Sequence, residues 1–250
     1  MLLANTQSEL QELIDRICTT SEKYGLVLNT RKTKYMVISK TPALHEALSA
    51  NGQAIERVSK FTYLGCTIDE NWDHSTEIKC RIEKARTTFM QMRSMLCSKD
   101  LSLNMKKKII QCYVHPILLY GAEAWTMSEA SESRVNAFEM WMYRRVLKIS
   151  WTEHVSNVEV LRRMNGQQEL MTKIKERKLK YLGHVMRNNK YRLLQIIIQG
   201  KVIGRRGPGR RRISWLANLR KWFGTDSTQL FRAAASKVRI AMMIANTRNG

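Results

Sequence analysis

Acidic residues are scarce in the second half of this 250-residue chain. Residues 151–250 hold 5 Asp and Glu against 22 Lys and Arg, and so carry +17 of the net charge of +22. That imbalance exceeds what solubility requires and points to a polyanionic partner, nucleic acid first among the candidates. The chain also lacks any apolar run long enough to span a bilayer, which argues against a membrane role even though a basic surface can attract anionic lipid. The N-terminus has no basic region, long apolar core and small-residue cleavage site in sequence, so an intracellular, reducing home is expected, nuclear or cytoplasmic. The five cysteines (Cys18, Cys66, Cys80, Cys97, Cys112) are odd in number, irregularly spaced and without a Cys-x-x-Cys pair. They read as reduced and mostly buried. Cys112 and His115 stand three apart, a spacing zinc can use, but no second pair accompanies them and a structural role is the simpler reading. A Gly-rich phosphate cradle, catalytic Ser/His/Asp spacing, a nucleophilic cysteine setting and internal repeats are all missing.

What is present reads as α+β, mainly α. At 44% hydrophobic residues the chain can bury a core, so it is not disordered by composition. Thr6 to Glu9 ("TQSE") is a capping-box pattern ahead of Leu10, Leu13, Ile14 and Ile17 at helical spacing, with Gly25 as the stop. "LVLN" and "KYMVIS", joined by "TRKT", have the pattern of a β-hairpin. "RVSKFTYLGCTID" is a further β segment whose mid-run glycine predicts a bend or bulge. Ile78, Ile82, Ala85, Phe89, Met92 and Leu96 then alternate four and three apart along one helix face, with Lys79, Arg81, Lys84, Arg86 and Arg93 on the others. "NMKKKIIQCYVH" predicts a helix that stops near Pro116, and another runs from about Ser131 to Ile149. Beyond Trp151 the pattern is of short basic helices ("ELMTKIKERKLKYLGHVMR", "YRLLQIIIQGKVI", "ISWLANLRKWF"), interrupted by a loop at Gly207, Pro208 and Gly209.

The order and spacing of "GLVLNTRKTKYMVIS" and "VSKFTYLGCTID" resemble the end of the polymerase domain of non-long-terminal-repeat (LINE-type) retrotransposon reverse transcriptases. In that family Gly25, Leu26, Asn29, Lys32 and Thr33 correspond to the fourth palm motif, and Phe61, Tyr63, Leu64 and Gly65 to the primer grip. "IIQCYVHPILLYGAEAWTM" is similar to the thumb, and "RKLKYLGHVMR" with "GRRGPGRRRISW" to a basic C-terminal tail, so the resemblance spans nearly the whole chain. It implies a partial palm over 1–74, an α-helical thumb-like region over 75–150 and a basic helical region over 151–250. "MLLA" with a capped helix follows, in the family, an aromatic-Ala-Asp-Asp catalytic motif. The chain is thus expected to begin just past it, as a C-terminal fragment of the endonuclease-reverse transcriptase polyprotein.

That expectation shapes the candidate site. Polymerisation in the intact parent would use aspartates and two Mg²⁺ ions; no cofactor is expected in these 250 residues. Asp69, Glu70 and Asp73 read as a solvated acidic turn. By the resemblance, Lys32 would protonate or stabilise the departing pyrophosphate in an intact enzyme, though a solvated turn lysine fits the residues equally. Lys106, Lys107 and Lys108 form the basic side of a helix that could track phosphates or be merely solvated. Arg205, Arg206, Arg210, Arg211 and Arg212 on a Gly-containing loop are suited to phosphates, or to nuclear import. Trp125, Trp141, Trp151, Trp215 and Trp222 could stack bases, although most sit at core phases. The expected function is that of a fragment of an RNA-directed DNA polymerase, inactive alone and keeping the parts that bind RNA and DNA. The alternatives are a non-enzymatic nucleic-acid-binding protein and a relic without function.

Overall fold

The computed structural model describes residues 1–39, 47–71, 74–202 and 213–249. Arg205, Arg206, Arg210, Arg211 and Arg212, with Asp73, lie outside the described residues. The fold is mainly helical with a few short strands, and it forms two compact units, Met1–Thr76 and Glu77–Gly250.

The first unit opens with α1 (Gln7–Glu22). Thr6 caps it by accepting the Glu9 N–H at 3.2 Å, while the Glu9 carboxylate reaches back to the Asn5 N–H at 3.0 Å, one residue earlier than the expected box. Gly25, at φ +70°, lets the Leu26 N–H close on the Ser21 carbonyl and ends the helix. The strands are β1 (Lys34–Tyr35), β2 (Ser49–Ala50), β3 (Gln53–Ala54), β4 (Glu56–Arg57), β5 (Lys60–Tyr63) and β6 (Cys66–Asp69). They pair β1 with β4 in parallel, and β2 with β3 and β5 with β6 antiparallel. The expected hairpin between "LVLN" and "KYMVIS" does not form. Asn29 accepts the N–H groups of both Lys32 and Thr33, and this local turn carries β1 away from residues 26–29 to a partner 22 residues on. Ile14 and Cys18 of α1 pack with Leu48, Ala50 and Ile55, and the Gln11 side-chain amide bonds both the N–H and the carbonyl of Ser49, filling in for a missing strand neighbour.

The second unit is α-helical among the described residues: α2 (His74–Gln91, whose first turn lies before the unit boundary), α3 (Arg93–Leu96), α4 (Leu103–Ile109), a π turn at Ile110–Val114, α5 (His115–Leu118), α6 (Glu129–Val146), α7 (Asn157–Arg163), α8 (Leu170–Arg187), α9 (Arg192–Gln199), α10 (Trp215–Phe223), α11 (Ser227–Ala235) and α12 (Lys237–Asn249). The helix before Pro116 does not stop there. The His115 N–H bonds the Ile110 carbonyl five residues back, and this wide turn accommodates a ring that would clash in regular α geometry. α2 breaks at Met92, and Arg81, expected on an outer face, is buried and paired to Glu77 at 2.7 Å. α7, α11 and α12 have no counterpart in the sequence reading.

α8 belongs to both hydrophobic cores. Its first half (Leu170, Met171, Ile174) completes the core built by α2, α5, α6 and α7, and its second half (Leu179, Leu182) packs with Leu219, Leu230, Ala234, Ile240 and Ile244 of α10, α11 and α12. Gly183 permits the close approach of α12, because a Cβ there would stand 3.3 Å from Ile240 and 2.6 Å from the Arg187 guanidinium. Of the five cysteines, all free, only Cys18 is buried.

The difference between the two units should be visible in solution. With two-residue strands and a small core, amides of residues 26–38 are expected to exchange much faster than those of α8. Hydrogen exchange read by mass spectrometry checks this; equal protection would mean that the extended segment has found a partner.

Candidate nucleic-acid interface

In the first unit, the residues singled out by resemblance fall on two turns. The β5–β6 hairpin has Tyr63 opposite Cys66, so Leu64 and Gly65 are its two loop residues, both left-handed at φ +47° and +79°. This is the turn whose twist matches the flanking strands. The glycine therefore makes the reversal, where a bend or bulge was expected. Leu64 holds a conformation that costs an L-residue about 1 kcal/mol and is exposed. Phe61 is exposed as well, and Tyr63 is half-buried. Lys32 is exposed on the Asn29 turn. Asp69 is buried and accepts the Asn71 N–H at 2.8 Å, so it is not a solvated turn residue.

In the second unit, the three lysines of α4 divide. Lys106 is buried with its ammonium on the Ser98 carbonyl, and so is withdrawn from the basic face on which the sequence places it. Lys107 bonds the Asn165 carbonyl at 2.9 Å. Lys108 is exposed.

The cations of α8 behave like Lys106. Lys173 bonds Glu169 at 2.8 Å and His115 Nδ1 at 3.0 Å, Arg177 the Leu119 carbonyl at 2.8 Å, and Arg187 the Ala234 carbonyl at 2.9 Å. Lys178 is fully buried: its ammonium meets the Trp125 carbonyl and Asn218 Oδ1, with the rings of Trp215 and Trp222 at 4.7 and 5.3 Å. Burial lowers its pKa to about 7. Much of the charge on α8 is therefore engaged in internal contacts, although Lys180 is exposed. Exposed cations of residues 151–250 include Lys190, Arg192, Lys201, Arg220, Arg232, Lys237 and Arg239.

Glu139 supports the start of α8. It is fully buried, accepts the Glu169 N–H and the Tyr143 hydroxyl, each at 2.8 Å, and lies 3.3 Å from the Leu170 N–H. Burial pushes its carboxyl up while these donors hold it back. His115 is buried, and burial together with the Lys173 ammonium lowers its pKa to about 4. With Cys112 on the exposed face, the pair does not form a metal site. Among the described residues no three His, Cys, Asp or Glu side chains converge as metal ligands. Among them, too, no helix is long and apolar enough to cross a membrane. Trp125 is buried and Trp151 is 88% exposed, while Trp141, Trp215 and Trp222 are half-buried against cations.

Lys178 sets a pH dependence of known sign. Between about pH 7 and its ordinary value of 10.5, the unfolded state binds the proton that the folded state has released. Unfolding free energy should therefore rise with pH across that window. Urea unfolding at a series of pH values is expected to show this rise in the native chain and to lose it in Lys178→Met. On the acid side, His115 should make stability fall as pH drops from about 6.5 towards 4.

Comparison with known proteins places this arrangement. Over 230 residues the chain is 25% identical to a transposon-derived protein of Caenorhabditis elegans, an alignment that covers 88% of this chain and 81% of that one. It is 22% identical over 152 residues to the RNA-directed DNA polymerase from mobile element jockey of Drosophila funebris, covering 60% of this chain and 17% of the polymerase. It is 23% identical over 144 residues to an RNA-directed DNA polymerase ascribed to transposon BS of Drosophila melanogaster, covering 56% and 16%. The chain thus spans about one sixth of the length of those polymerases. No family model matches it, and no solved structure matches it at significance. The chain is related to transposon-derived proteins and to the RNA-directed DNA polymerases of mobile elements, in keeping with the resemblance of its motifs to non-LTR reverse transcriptases.

Proposed function

We propose that this chain is a palm-edge, thumb and tail portion of a non-LTR retrotransposon reverse transcriptase, and that it grips RNA and DNA through their phosphates without polymerising on its own. The observation that carries this reading is the relation to RNA-directed DNA polymerases in a chain whose net charge is +22. In the parent enzyme the exposed Leu64–Gly65 tip, with Phe61 and Tyr63 behind it, would steady the primer end, and Lys32 would meet the departing pyrophosphate. Mg²⁺ would belong to aspartates of the parent, and no Asp-Asp pair occurs in this sequence. In the second unit the grip would fall to Lys108, to the exposed cations of α9 to α12, and to Arg205, Arg206, Arg210, Arg211 and Arg212. A second reading, a nucleic-acid-binding protein in its own right, is favoured by the transposon-derived relative, of which the match covers 81%.

Binding should be dominated by counterion release, with affinity falling steeply as salt rises and weak preference among sequences. Fluorescence anisotropy with labelled RNA and DNA checks it; salt-independent or absent binding overturns the reading. Lys108→Gln is expected to flatten the salt slope, by about 0.9 for one duplex phosphate contact. Lys106→Met should instead lower thermal stability, since it removes the ammonium that satisfies Ser98. Template-dependent incorporation assayed with Mg²⁺ should be nil; robust synthesis would refute the proposed inactivity.

A further inference from the structure

The seam between α2 and α6 sets two guanidiniums on an aromatic cluster at the edge of the core, a feature that the resemblance does not use. Trp141 of α6 is half-buried there. Phe138 stacks beside its ring with centroids 5.7 Å apart and planes at 18°, and Phe89 of α2 meets it edge-on at 5.2 Å. The indole is thereby fixed. Two guanidiniums lie over it, Arg145 at 4.4 Å and Arg86 at 5.1 Å from the ring centroid, so they stand no further apart than those two distances together.

What distinguishes this pair is a guanidinium without a counter-charge at Arg145 and an exposed, screened one at Arg86. Among the described residues, Arg145 has its Nε buried without a hydrogen-bond partner, and no ion pair engages it. The Nε of Arg86 is buried and unpartnered in the same way. Its acid neighbour, Glu83, stands 3.5 Å away in a pair whose side chains are 42% and 64% exposed. Such a pair is largely screened. By contrast Arg144, Arg177 and Arg187 all end on backbone carbonyls. Two like charges on one indole repel one another, and an anion that reaches both would relieve that repulsion.

We infer that Arg86 and Arg145, mounted on Trp141, form a phosphate-binding site that takes a phosphodiester of a polynucleotide strand. The inference rests on the nucleic-acid-binding reading proposed above and places one contact of it. Stacking on the indole leaves the Nη edges of a guanidinium as the donors, and a planar fork suits two phosphate oxygens. The polynucleotide, in preference to a free phosphate, follows from the extension of the charge beyond the pair. Arg134, Trp141 and Arg145 are spaced seven and four apart and so share a face of α6. Arg134 is exposed on that face, and an exposed Lys148 follows just past the helix end. A strand can run along such a stripe, whereas a lone phosphate fills one position.

The test uses the full chain with an oligothymidylate, and with inorganic phosphate as the competing probe. Native binding is followed against salt, beside R86Q, R145Q and the double variant. Every phosphate that a variant no longer neutralises should flatten the logarithmic salt slope by about 0.7 on a single strand. The Arg86 and Arg145 Nε–H resonances should shift on adding the oligonucleotide, and should not respond to inorganic phosphate at the same phosphate concentration. A purely packing role would lower the melting temperature and leave the slope unchanged. If the double variant does not fold, R145K replaces it: charge is kept and the fork removed, so affinity should fall several-fold with the slope nearly preserved. Native binding with unmoved resonances and variants of unchanged slope overturns this site while leaving the nucleic-acid reading intact. Absence of native binding overturns both, and an equal response to inorganic phosphate overturns the assignment to a polynucleotide.

Discussion

A buried ammonium holds the second unit together. Lys178 has no exposed surface and, among the described residues, no carboxylate within bonding distance, yet it bonds the Trp125 carbonyl and Asn218 Oδ1. Asn218 in turn accepts the Met127 N–H at 2.8 Å and donates to the Met127 carbonyl at 2.7 Å. One polar knot thus joins α8, the segment after α5 and α10, where the two hydrophobic cores meet. Removing the amine would take this donor from the buried Trp125 carbonyl, at about 1–3 kcal/mol for an unsatisfied group, while Asn218 Oδ1 would keep the Met127 N–H. Glu139 does the same at the other end of α8, satisfying N–H groups that open the helix.

This use of charge changes where function can sit. A helix written as Lys, Lys, Arg, Lys and Lys reads as a phosphate-tracking surface, but most of those cations terminate on carbonyls or on Glu169 and Glu176. Backbone acceptors at helix ends and turns are plentiful in a bundle of short helices, and long basic side chains can reach them while their stems cover apolar surface. The net charge therefore overstates the cations available to a polyanion. Those that remain available include Lys108 on α4, cations of α9 to α12, Arg134 and Arg145 on α6, and Lys148 just beyond it.

The first unit is built the opposite way, with little buried and its strain on display. Its β5–β6 hairpin is closed by a turn that places a leucine in a left-handed conformation at an exposed tip, and a glycine or asparagine would hold that position with less strain. Strain at an exposed tip is the kind of feature that functional contacts maintain.

The sequence by itself determined the helical class, the cap at Thr6, the stripe from Ile78 to Leu96 and the family resemblance, because periodicity, capping chemistry and motif order are local properties of the chain. It misled where the outcome turned on what a turn or a side chain met in the folded chain. The strand at Lys34 took Glu56 in place of its neighbour because Asn29 closed the turn between them. Pro116 was absorbed because a π turn was available. Lys106 and Arg81 left the surface because a carbonyl and a glutamate awaited them inside. The pairing of Arg86 with Arg145 over one indole joins residues 59 positions apart. No spacing rule brings them together, and only the packing of α2 against α6 does.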